Sequence, residues 1–343
     1  MATHLKHGRL KLALALLIVA AAVFAAMWWQ RTLAFSERGL ALEPMSQPRV
    51  LLIDRGDGFN AVLRKLRVLG VRQGSDLEWK LLARRLGVAG KLQVGEYEIT
   101  PGVTPETLLQ RLGAGEVIQR KFTLVEGWTF RDLRAALAAQ DRIASSTKGL
   151  DDAAVMARLG RKDTWPEGRF LPETYVYTRG TDDLAILDRA AKAMDAALAD
   201  AWEGRDADLP LASADELLTL ASIVEKETGL ASERPQIAGV FVRRLRLGMR
   251  LETDPTVIYG MGAAYAGNIR KKDLLADTPY NTYQRGGRPP TPIAMPGKAA
   301  LQAAAHPAPG DSLFFVARGN GAHHFSATYA EHAAAVRRYQ LRR

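Results

Sequence analysis

Residues Ser213 to Gly229 read as one helix, and its last turn carries the side chain best placed for proton transfer. Ser213 and Glu216 have the spacing of a capping box, in which the serine hydroxyl accepts from the Glu216 amide and the Glu216 carboxylate reaches back to Ser213. Gly229 supplies a stop. At roughly 100° per residue, Leu217, Leu218, Leu220, Ala221, Ile223 and Val224 surround the axis, so the helix belongs in an interior. Glu225 follows on a face otherwise free of charge. A carboxyl half-buried among apolar groups keeps its proton to higher pH, which suits donation to a leaving oxygen. It also opposes the helix dipole at a cost of about 0.3 to 1 kcal/mol, which hints at a reason other than stability. The alternative is that Glu225, Lys226 and Glu227 form the solvated last turn of a buried helix, and the helix alone does not choose. Glu227 lies about 200° further round and is read as structural.

Four other stretches could contribute. Thr253-Asp254-Pro255-Thr256 fits a helix cap and a sugar contact equally well. Tyr259, Asn281 and Tyr283 offer aromatic faces and an amide suited to sugars, although a packed tyrosine or a turn asparagine explains each one singly. His306, His323, His324 and His332 gather late in the chain and suggest zinc, yet no His-Glu-x-x-His occurs and adjacent histidines do not ordinarily reach one ion. There is no cysteine, which excludes disulfides, thiolate metal sites and cysteine nucleophiles. No metal or cofactor is expected.

The elements that must hold these residues occupy a chain of 343 residues, enough for two modest domains with appendages. A net charge of +10 would draw nucleic acid, anionic lipid or an acidic polymer alike. The N-terminus narrows the choice. Leu12 to Trp29 is an unbroken apolar or small-residue run behind Lys6, Arg9 and Lys11, and it spans roughly 27 Å as a helix. The leading positive charges predict a cytoplasmic N-terminus with everything after Arg31 exported, so nucleic acid is not an expected partner. A cleaved signal peptide is the competing reading; the length of the run and its closing Trp28 and Trp29 favour an uncleaved anchor. The expected order is a cytoplasmic tip and anchor over 1–30, a flexible linker over 31–48 ending in Pro44 and Pro48, a small α+β module over 49–125, and a helix-rich domain over 126–343. In the module, strands at 50–53, 97–99 and 117–125 flank helices at 59–69 and 77–86, with another helix starting at Thr104 and Pro105.

Beyond Glu225 the chain reads Ser232-Glu233-Arg234, then Gly248-Met249-Arg250-Leu251-Glu252-Thr253-Asp254-Pro255-Thr256-Val257-Ile258-Tyr259-Gly260, Tyr280-Asn281-Thr282-Tyr283, Pro289-Pro290-Thr291-Pro292 and His324-Phe325-Ser326. This series, with the anchor before it, resembles the endolytic murein transglycosylases of the MltG/YceG-like family over nearly the whole chain. The resemblance implies an α+β fold with a single transmembrane helix, a LysM-like glycan-binding module, and a YceG-like catalytic domain. It implies a lyase that cleaves the MurNAc–GlcNAc bond of nascent strands, leaves 1,6-anhydro-MurNAc ends and so terminates elongation. Glu225 takes the catalytic position, with Thr253, Asp254, Tyr259, Asn281 and Tyr283 as substrate contacts. Peptidoglycan strands, the inner membrane and penicillin-binding synthases are the implied partners, with the catalytic domain in the periplasm. Two departures stand out: Arg288 where the family has Leu before the double proline, and Ala333 where it commonly has Asn. A non-catalytic wall-binding scaffold and a lysozyme-like hydrolase are the competing functions.

Overall fold

The computed structural model describes residues 2–42 and 48–341, arranged as two compact units, Met1–Arg120 and Lys121–Arg343. Both mix helices with small antiparallel or paired strands, and among the described residues each sheet has two strands. The fold is α+β.

In the first unit helix α1 runs Ala2–Glu37. Its stretch from Leu14 to Glu37 has a mean hydropathy of 1.7 and fits a transmembrane helix, with Leu17, Phe24 and Trp29 exposed. The connector expected from residue 31 is helical to Glu37. Phe35 explains this: it is buried edge-on against Trp79 at 5.3 Å, so the end of α1 is held by tertiary packing that hydropathy alone does not register. Pro44 of that connector lies outside the described residues. Strand β1 (Arg49–Ile53) pairs antiparallel with β2 (Gly95–Ile99), Leu51 opposite Tyr97. Between them lie α2 (Phe59–Val68) and α3 (Asp76–Arg85), the latter opened by a complete Ser75–Glu78 capping box. Helix α4 (Pro105–Ala114) starts on the Thr104 cap.

The strand expected at 117–125 is shorter and belongs elsewhere. As β3 (Arg120–Thr123) it pairs with β4 (Thr174–Tyr177), beyond α5 (Phe130–Ala138) and α6 (Asp152–Arg158). After α7 (Asp183–Gly204) comes the central helix α8 (Ala214–Glu227). Leu217, Leu218, Leu220, Ala221, Ile223 and Val224 are all fully buried, as its all-round apolar surface requires. Helices α9 (Arg234–Arg246), α10 (Asp254–Met261), α11 (Lys271–Leu275) and α12 (Lys298–Ala305) follow, and the alanines of α12 let it lie close against α8. Strands β5 (Phe314–Ala317) and β6 (His323–Ser326) form a hairpin backed by α13 (Tyr329–Tyr339).

The start of α8 is half the box its sequence suggests. Ser213 accepts from the Glu216 amide at 3.3 Å, but Glu216 turns to the Ala212 amide at 2.6 Å and to Arg288 at 2.8 Å. Arg288 thus has an ion-pair partner at the opposite end of α8 from Glu225.

Gly168 tests how tightly the turn after α6 is held. Its φ is +79° and a Cβ there would meet the Pro292 Cβ at 2.6 Å, whereas Gly160 has a φ of +73° with open space around it. Backbone strain of about 1–3 kcal/mol applies to alanine at either site. We expect Gly168→Ala to lower the thermal midpoint clearly more than Gly160→Ala; equal losses would show that the Pro292 contact yields freely.

Candidate active site

The last turn of α8 sends two carboxylates to opposite sides. The Glu225 side chain is only 4% exposed, and both of its oxygens are engaged: Oε1 accepts from Arg234 at 3.2 Å and Oε2 from the Gly297 amide at 2.9 Å. Arg234 also reaches Glu126 at 3.4 Å. Burial raises the Glu225 pKa above its ordinary value, while the Gly297 amide and Arg234 pull against that shift.

Glu227 meets a different environment. The Thr253 hydroxyl donates to its Oε1, and among the described residues no cation pairs with it directly. Burial pushes its pKa up to about 7, with the negative charge of Asp254 adding to the rise and Thr253 and His323 opposing it. Glu227 lines a cavity of about 420 Å³ together with Asp254, Tyr283, His323, Glu252, Arg244 and Phe314. A carboxyl that is half protonated near neutral pH beside an open cavity can both give and take a proton.

Several interlocking bonds fix that wall. Thr253 stands just before α10 and is 2% exposed, its hydroxyl spent on Glu227 and not on capping the helix; its amide donates to the Thr282 hydroxyl at 3.1 Å, and its carbonyl accepts from the Thr256 hydroxyl at 2.8 Å. Tyr283 donates to Asp254 at 2.7 Å, and burial raises its pKa further above the ordinary range. Glu252 holds a left-handed backbone at φ +52°, secured by Arg244 at 3.1 Å. The buried Arg244 also donates to the carbonyls of Leu313, Arg250 and Leu251 at 2.7, 3.0 and 3.1 Å, tying α9 to β5 and the loop before α10.

Of the contacts expected from sequence, Thr253, Asp254 and Tyr283 therefore gather around Glu227. Asn281 does not face the cavity: it is 1% exposed, and its amide donates to the carbonyls of Asp273, Leu274 and Ala276 at 3.2, 3.1 and 2.7 Å. Its Oδ1 accepts from the Tyr283 amide at 2.9 Å, so it shapes the loop that carries Tyr283. Tyr259 packs edge-on to Tyr280 at 4.9 Å and stands beside the buried Glu167, whose pKa burial likewise pushes up to about 7. The histidines disperse among separate partners: His306 to Asp206 at 2.8 Å, His323 to Glu233 at 2.7 Å, and His332 flat against Phe314 at 5.2 Å.

The chain matches the YceG-like family over residues 51–338, which includes every residue of this wall. It belongs to that family. It is 30% identical to the endolytic murein transglycosylase of Bacillus subtilis strain 168 across 84% of this chain and 83% of the relative. The endolytic murein transglycosylase of Streptococcus pneumoniae serotype 2 is 28% identical across 66% of this chain, which spans 46% of that longer protein. A crystal structure of a YceG-like protein from Listeria monocytogenes superposes with a TM-score of 0.55 at 28% identity, covering 85% of this chain and all of that one. The YceG-like match spans both units, so the two-carboxylate turn of α8 sits within the part shared with the family.

The Glu227 pKa makes stability depend on pH with a definite sign. Its folded value, about 7, lies above its ordinary 4.5, so its contribution is complete below about 4.5 and is lost as pH rises through 7. Glu227→Gln keeps the neutral shape. In detergent, the variant should melt with wild type at pH 4.5 and above it, by a few degrees, at pH 8. A constant difference across that range would mean that Glu227 ionises without cost.

Proposed function

We propose that this chain is a membrane-anchored lytic transglycosylase that cuts peptidoglycan strands internally at the MurNAc–GlcNAc bond, with Glu227 as its acid and base. One observation carries this reading: the carboxyl that ends the buried helix α8, with a pKa near 7, lines an open cavity of about 420 Å³. The names of the Bacillus and Streptococcus relatives support the substrate class.

Breaking a glycosidic bond requires a proton on the leaving oxygen and relief of positive charge on the sugar. Protonated Glu227 donates to the GlcNAc oxygen as the MurNAc C1–O bond breaks. The N-acetyl carbonyl of MurNAc supports the developing cation from within the substrate. The 6-hydroxyl oxygen of the same sugar then bonds to C1, and its proton returns to the Glu227 carboxylate. A 1,6-anhydro end results and no water is consumed. Asp254 aids both halves, because its charge favours protonated Glu227 before cleavage and the cation during it.

The remaining roles follow from topology. Lys6, Arg9 and Lys11 before the apolar run support a cytoplasmic N-terminus, which leaves the catalytic unit at the periplasmic face of the inner membrane. The order β1-α2-α3-β2 supports reading residues 49–125 as a LysM-like module that grips glycan. An enzyme so tethered meets strands close to their lipid-linked end, beside penicillin-binding synthases, where a cut ends elongation.

Glu225, the acid expected from sequence, is the second reading, favoured by its own burial and raised pKa. Against it, Arg234 and the Gly297 amide hold both oxygens in a geometry suited to the ionised form. Mass spectrometry of products from purified sacculi separates the two. Glu227→Gln should lower release of anhydromuropeptides by about 10²- to 10⁴-fold, the usual range for losing a general acid, while Glu225→Gln should chiefly lower the melting temperature. The opposite ranking would return the role to Glu225. Reducing ends from wild type would make the protein a hydrolase, and no release at all would leave a wall-binding scaffold.

A further inference from the structure

The pair formed by Glu233 and His323 is an ionisable cluster beside the cavity that the proton transfer above does not use. Glu233 sits in the short turn before α9 and is 9% exposed. Its two oxygens serve one residue: Oε1 accepts from the His323 amide at 2.9 Å, and Oε2 stands 2.7 Å from His323 Nδ1. The backbone contact fixes the start of β6 and the side-chain contact fixes the ring. Phe315 closes one side of the imidazole edge-on at 5.4 Å.

A carboxylate opposite Nδ1 places the ring proton on that nitrogen, so Nε2 is the remaining polar atom of the side chain. His323 lines the same cavity as Glu227 and Asp254. In the neutral ring Nε2 is an acceptor, and a sugar offers hydroxyl donors.

We infer that His323, oriented by Glu233, accepts a hydrogen bond through Nε2 from the substrate hydroxyl that attacks C1, and holds it for ring closure. The inference rests on the transglycosylase reading above. Once Glu227 has given up its proton, the hydroxyl turns from Nε2 to that carboxylate and passes its proton there as the O6–C1 bond forms, so His323 gains and loses no proton over the cycle. Its contribution is orientation, which favours the tethered hydroxyl over water as the nucleophile.

Product partition reads this out. Wild type, His323→Leu and Glu233→Gln, each full length in detergent with its melting temperature checked, are given the same glycan strands, and anhydro and reducing ends are counted by their difference of one water. His323→Leu, which has no acceptor, should lower the anhydro-to-reducing ratio about tenfold, the effect of one lost orienting bond of ordinary strength. Glu233→Gln should lower it less, because an amide oxygen still accepts from Nδ1–H; it carries the test alone should His323→Leu not fold. An unchanged ratio in the folded variants, with total turnover merely reduced, would make the pair structural and overturn the inference while leaving the transglycosylase intact. Reducing ends alone from wild type, with no anhydro ends, would overturn both.

Discussion

Helix α8 has no solvent-facing side along most of its length, and the charges at its C-terminal end must be reconciled with that burial. An ionised carboxyl taken out of water needs either a partner or a proton. The two glutamates of the last turn take one solution each. Glu225 is met by Arg234 and a backbone amide. Glu227 is met by a neutral hydroxyl and an acidic neighbour, and keeps its proton to about pH 7. Two residues apart in sequence, they face opposite sides of the helix, so one can be fixed as a structural anion while the other stays available for exchange.

The wall facing Glu227 is assembled so that polar groups are spent on one another. Thr253, Thr256 and Thr282 bond among themselves, Asn281 ties three carbonyls and the Tyr283 amide, and Tyr283 holds Asp254. What is left to line the cavity includes two carboxyl groups, Glu227 and Asp254, and the imidazole of His323. Such preorganisation is how a site stabilises charge that develops only during reaction. The left-handed backbone at Glu252 belongs to the same construction, because Arg244 holds the strained turn from below.

Much of the framework is legible in the sequence because local signals fix it. Gly70 and Gly87 stop α2 and α3, Thr104 and Thr129 cap their helices, and the apolar ring of α8 announces burial. What escapes is whatever depends on distant chain. Residues 120–123 read as a strand, but nothing local says that their partner is 174–177. The end of α1 is set by Trp79, more than forty residues away along the chain. The same limit applies at the site: helical spacing separates Glu225 from Glu227, but which of them meets an arginine and which a cavity is decided by Arg234, Gly297, Thr253 and His323. Asn281 shows the converse, since its side-chain chemistry suits a sugar while its burial forbids one.

Gly297 indicates how strictly the division between the two carboxylates is enforced. A Cβ at that position would lie 2.0 Å from Glu126 Oε1, so a larger residue there would push the end of the Glu126 side chain from its place near Arg234. Two acids and one guanidinium are packed there at close range, and an uncompensated second carboxylate would repel the first. With Arg234 shared between Glu126 and Glu225, the negative charge on that face of α8 is partly neutralised before it can act across the helix. Glu227 is then governed mainly by its own surroundings, Asp254 raising its proton affinity and His323 lowering it. A carboxyl with a proton affinity near neutrality is sensitive to any charge that moves close by, and Arg234 and the Gly297 amide hold the Glu225 charge in place.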